Sequence, residues 1–199
     1  TPYLLGDPGD VVRWGLPAVK ALTNISIAVA VGGSVFAAFV LPDGSRALQR
    51  AHAVVAASAT VWFVAGSISY LFTYLSITGT TFALDQQFSA GLQLFASEIA
   101  LGQSLALNLA GALVVATLAF AVRTIKGSFW LAALGLASLV PLAVSGHASG
   151  TSGHGMAVNA LGMHLVAIVI WVGGLLTLMV VWSGAQLEER HRWLKRYST

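Results

Sequence analysis

Residues 145–164 read SGHASGTSGHGMAVNALGMH. They hold three of the chain's five histidines, His147, His154 and His164, and two of its three methionines, Met156 and Met163. Imidazole nitrogen with thioether sulfur is a ligand set suited to copper, and thioether favours Cu(I) in particular. Hard cations want carboxylate oxygen, which this stretch lacks, and zinc usually recruits Cys or carboxylate beside His. The chain has no cysteine, which excludes thiolate sites, disulfides and covalent haem attachment. The stretch therefore reads as a copper-binding mouth. Its metal ligands are His147 and His164, helped by His154 and by Met156 or Met163, for copper as Cu(I) or Cu(II). Two other readings use the same residues. His147 and His164, on different helices, suit axial ligation of a b-type haem. Alternatively the imidazoles only bond across helices, in an accessory subunit of a larger membrane complex.

Helical spacing puts Met156, Asn159 and Met163 on one narrow stripe, with His164 about 80° round from Met156. Trp171 follows seven residues later, on the side of His164. At the helical rise, His164 lies roughly 12 Å below Met156, at a depth where an unpaired titratable ring is costly in lipid.

The elements that must hold these side chains are greasy. Of 199 residues, 57% are hydrophobic and 9% charged, against roughly 25% charged in a soluble domain, and mean hydropathy is +0.82. Five runs reach the ~20 apolar residues a spanning helix needs: about 16–41, 52–78, 99–122, 128–146 and 156–183. A Gly/Pro-punctuated lead segment, 1–15, precedes them. The sequence predicts an all-α polytopic bundle forming a single domain over 1–199. Between the second and third runs, Phe82, Leu84, Phe88, Leu92 and Phe95 recur at near-helical spacing, as in a short interfacial helix.

Basic residues orient the bundle. Arg46 and Arg50, Arg123 and Lys126, and Arg190, Arg192, Lys195 and Arg196 fall in the first and third loops and the tail, whereas Arg13 and Lys20 stand at the other end. Lys and Arg resist translocation, so the expected topology is N-out and C-in, with the histidine-rich loop outside. The formal charge of +3 is then a property of membrane loops and implies no nucleic-acid partner. Glycines at 32–33, 66, 102, 111, 162 and 173–174 suit close helix packing in lipid. Glu98 stands at the outer start of the third run and Asp85 in the loop before it; they read as solvated at the interface, with help in holding a cation near the histidines as the alternative. Asn24, Gln103 and Asn108 read as interhelical hydrogen-bonders. Trp62, Tyr70, Tyr74, Trp130 and Trp182 read as aromatic belts. His52 reads as interfacial beside Arg50, and His191 as part of a solvated charged tail. No nucleophile–base pair, phosphate loop or pair of catalytic carboxylates is visible, so a non-enzyme is expected.

The sequence "SGHA", a short gap, and "LGMHLVAIVIWVGGLLTL" resemble the copper-resistance D (CopD) family of bacterial inner-membrane proteins. "YLLGDPGDVVRWGLPAVKAL" resembles the members in which a CopD portion is fused to a CtaG-like cytochrome oxidase assembly portion. The closing "RYST" is similar to the stretch that precedes a further spanning helix in that family. The resemblance implies a multi-pass inner-membrane protein that takes up copper or supplies it to oxidase assembly partners. It implies functional roles for His147 and His164, and packing roles for Trp171, Gly173 and Gly174. It also implies that the chain continues into further helices.

Overall fold

The computed structural model describes residues 6–145, 154–183 and 187–198, and the backbone alone for residues 144–145, 154–161, 187 and 198. Its helices are α1 (Asp10–Phe39), α2 (Arg46–Thr78), α3 (Gln86–Glu98), α4 (Ala100–Ala119), α5 (Ile125–Ser145), α6 (His154–Trp182) and α7 (Leu187–Ser198). All regular structure among the described residues is helical. Five helices, α1, α2, α4, α5 and α6, are long and apolar enough to cross a membrane.

The helices run past the apolar stretches that define them. α1 starts at Asp10, where residue 16 was expected, and α2 at Arg46, where residue 52 was expected. Polar residues beyond the hydrocarbon do not stop a helix; caps and turns do. Before α2, Pro42 and Gly44 break the chain and the Ser45 hydroxyl accepts the Leu48 N–H at 3.1 Å. At its other end Gly79 adopts φ 64°, a left-handed cap that glycine takes without a steric penalty. α3 is the short helix that the phenylalanine spacing anticipated. Asp85, read as merely solvated, caps it by accepting the Phe88 N–H at 2.7 Å. Phe95 is buried there, with Tyr74 beside Phe88 and Phe95 at ring separations of 5.4 and 5.7 Å. Tyr74 is therefore part of an internal cluster, contrary to the belt expectation.

α1 is the central helix and packs against α2, α5 and α6. Its tightest crossing is with α6. A methyl group on Gly173 would collide with the Ala28 carbonyl, and one on Gly32 with the Val169 carbonyl. In lipid, apolar burial gives no transfer energy between helices, so this close approach and its dispersion contacts carry the association. Buried hydroxyls are satisfied within their own helices: Ser34 donates to Ala30 O at 2.7 Å, and Thr177 to Gly173 O at 2.8 Å.

One buried polar link joins three helices. Trp62 Nε1 donates to Asn108 Oδ1 at 3.2 Å, and Asn108 Nδ2 donates to the Ser138 carbonyl at 2.9 Å. This makes Asn108 the interhelical hydrogen-bonder expected, and corrects the reading of Trp62. That side chain is fully buried between α2 and α4, because its N–H has a partner inside the bundle. Trp130 does lie exposed, as a belt residue would.

The tail is also corrected. α7 docks rather than standing free in solvent. Trp193 is buried among Phe36, Val40, Leu178 and Val181. The Tyr197 hydroxyl donates to the carbonyls of Ile170 and Trp171, at 3.0 and 2.6 Å. Arg190 lies 5.1 Å from the Trp182 ring centroid, a cation–π contact. His191 itself is exposed.

Candidate metal centre at the histidine-rich end

α6 begins at His154, so one continuous helix carries residues 154, 156, 163 and 164. At 1.5 Å per residue, His154 and His164 are about 15 Å apart along the axis, and Met156 and Met163 about 10 Å. A single ion cannot be bound by both ends of that ladder. What the backbone offers is donors at two levels about two turns apart, residues 154 and 156 and residues 163 and 164; near neighbours on a helix do not share a face, so each donor needs partners from outside α6.

The inner pair is exposed. Met163 has 74% of its surface accessible, and His164 is likewise on the outside of α6. His164, the inner ligand of the sequence reading, is thus on the exposed side of α6. Its imidazole stands on the face of α6 away from α1. Trp171 follows the same face and is 63% exposed, which corrects its assignment as a packing residue. Gly173 and Gly174 do pack, the first against Ala28 and Gly32 of α1, the second against the Tyr197 ring of α7.

His147 lies outside the described residues, as do the side chains of His154 and Met156. Among the described residues, no group of three or more His, Asp and Glu side chains gathers as a metal site. Glu98 and Asn24 are exposed, and Gln103 donates to the Ser97 carbonyl.

The family model for the Copper resistance protein D-like, N-terminal domain matches residues 10–158. The chain belongs to that family. No curated protein and no solved structure matches it. The copper-resistance D-like match runs from the first residue of α1 into the first turns of α6. It covers α1 to α5 whole and, with His147, the connection from α5 to α6. Membership makes this a copper-related membrane protein with several spans.

A histidine that the sequence placed at the interface lies inside the copper-resistance D-like bundle. His52 is buried between α2 and α5, with Nε2 2.7 Å from the Ser128 hydroxyl, itself fully buried. Its Nδ1 is buried without a partner. Proximity to Arg50 in the sequence suggested a solvated ring. The facing serine on α5, 76 residues away, is what draws it inward.

Proposed function

We propose that the protein captures copper at the histidine-rich end of the bundle for passage across the membrane or for delivery to cytochrome oxidase assembly. His147 and His164 are the proposed ligands, with His154, Met156 and Met163 assisting. The observation that carries the reading is membership of the copper-resistance D-like family. The chemistry of the donors agrees with it: imidazole and thioether, with no cysteine anywhere in the chain. So does their arrangement along one helix. Donors at two levels about 10 Å apart, each completed by groups outside α6, let an ion move by ligand exchange, where one tight site would hold it. By the charge rule this end faces away from the cytoplasm, and the bacterial inner membrane is the proposed location.

The test is Cu(I) competition against a chromophoric chelator, using detergent-purified protein. His164→Ala and Met163→Leu are each expected to weaken copper binding by about tenfold, the loss of one ligand contact. If a His147→Ala/His164→Ala double variant holds copper as tightly as the parent protein, these ligand assignments are wrong. A Soret band in the purified protein would replace copper with b-haem.

A further inference from the structure

α7 touches two spanning helices at once. α1 and α6 approach most closely at Gly32 and Gly173, where a methyl on either would strike the backbone of the other helix. On the basic, cytoplasmic side of that crossing α7 lies against both. Trp193, 3% exposed, packs among Phe36 and Val40 of α1 and Leu178 and Val181 of α6. One turn on, the Tyr197 ring stands edge-on to Phe36 at 5.7 Å and covers Gly174. We propose that α7 is a wedge: its docking sets the angle between α1 and α6, and through it the position of the donor-bearing end of α6 on the far side of the membrane.

The crossing has the makings of a pivot. Backbones meet at Gly32 and Gly173 with no side chain between them, so a change of angle there has little to disengage. α1 is the fixed member, held by α2 and α5 as well. α6 packs mainly on α1 and only lightly on α5 and α2, so little else fixes its direction. It is one continuous helix from His154 to Trp182, and a rigid rod displaced below its pivot moves the opposite way above it. Leu178 and Val181 lie beyond Gly173 and His164 lies before it, which at the helical rise gives arms of about 7–12 Å and about 14 Å. The two ends therefore move by similar amounts.

Polar contacts fasten the wedge to both arms. The Tyr197 hydroxyl donates to the Ile170 and Trp171 carbonyls of α6 at 3.0 and 2.6 Å, and the Arg196 guanidinium donates to the Val40 carbonyl of α1 at 3.4 Å. From residue 193 to residue 197 the contacts climb α6 from Val181 to Ile170, so α7 runs antiparallel to it. An element that grips both helices passes movement on in either direction, as in hinged domain closure. Its bulk is aromatic, and removing an indole leaves space on which the flanking helices partly close. This coupling is mechanical and holds whatever the cargo. On the copper reading above, tail docking sets the affinity of the far end, an interaction between two distinct sites.

The chain has no cysteine, so spin labels on introduced cysteines report the angle directly. Leu107→Cys on α4 with Ala167→Cys on α6 is the measuring pair, both positions being exposed. Leu22→Cys with Leu107→Cys is a reference pair that leaves α6 out. Pulsed electron paramagnetic resonance of the detergent-purified protein reads both distances without metal. Trp193→Ala is expected to shift the α4–α6 distance by about 2 Å or more and to leave the reference pair within about 1 Å. Gly174→Ala, whose methyl would take the place of the Tyr197 ring, loosens α7 from the other side and is expected to shift the distance in the same sense. Cu(I) affinity of the unlabelled variants is expected to change by about fivefold or more. An unchanged α4–α6 distance in both variants, or an equal shift in the reference pair, overturns the wedge. Because that measurement involves no metal, its failure is distinct from failure of the copper reading. Shifted distances with unchanged Cu(I) affinity, in a parent that binds copper, would overturn the coupling.

Discussion

Replacing Asn108 by Leu removes a side chain that ties α2, α4 and α5 together. Asn108 is 4% exposed and makes two hydrogen bonds, accepting from Trp62 Nε1 and donating to the Ser138 carbonyl. Interhelical hydrogen bonds in membrane bundles average ~0.6 kcal/mol and reach ~1.7. Two of them give about 1–3 kcal/mol. Leucine branches as asparagine does but is bulkier, so it leaves no cavity and adds some overpacking, while the Trp62 N–H loses its partner and cannot reach water. The expected destabilisation is therefore about 2 kcal/mol. Trp62→Phe removes the donor from the other side and strands Asn108 Oδ1. In the double variant neither group is stranded, so its loss should fall short of the sum of the single losses by about 0.5–1 kcal/mol. Reversible unfolding in mixed micelles, followed by circular dichroism, measures all three. An Asn108→Leu variant within about 0.3 kcal/mol of the parent, or strict additivity, would show that the link does not hold these helices together.

Other outcomes follow from single contacts. Gly173→Ala places a methyl against the Ala28 carbonyl and should cost about 1–3 kcal/mol in the same assay. Among the described residues Gly162→Ala meets the Ala143 methyl at 3.9 Å, and it should change stability by less than about 0.5 kcal/mol. Asp85→Ala deletes the cap of α3 and should cost about 1 kcal/mol, read as faster proteolysis within residues 79–98. Burial raises the Tyr197 hydroxyl above its usual value of 10.0. The docked state therefore keeps its proton to higher pH than the free tail does, and α7 docking is lost as pH rises above about 10. Protease cleavage in α7 should show that alkaline step in the parent, and Tyr197→Phe, which cannot ionise, should lack it.

The five spans were legible because length and apolarity are properties of a run, independent of which way each side chain faces. Facing was harder to read. α6 is apolar all round, so it has no hydrophobic stripe to mark its inner side. Trp62 illustrates the same problem: an indole suits a lipid interface and a buried hydrogen bond equally, and only its partner Asn108, 46 residues away, decides. His52 was misread in the same way, since its partner Ser128 lies on another helix.

For His164 the deciding signal was present in the small residues. Val169, Gly173, Thr177 and Val181 recur every four residues and form the buried face of α6. Nine residues separate His164 from Gly173, which at 100° each is about 180° round the helix. The imidazole must then stand opposite α1 whenever Gly173 meets Ala28, and Trp171, about 160° from Gly173, must lie near it. The sequence reading gave the glycines a packing role and the histidine a ligand role without fixing which side of the helix each takes. Close approach at Gly173 admits no side chain in its way, so the glycine sets the rotation and the histidine follows. Any copper held by His164 is thus completed from the outer side of α6, by the connection carrying His147 or by a group packed against that face, and not by the α1–α6 interface.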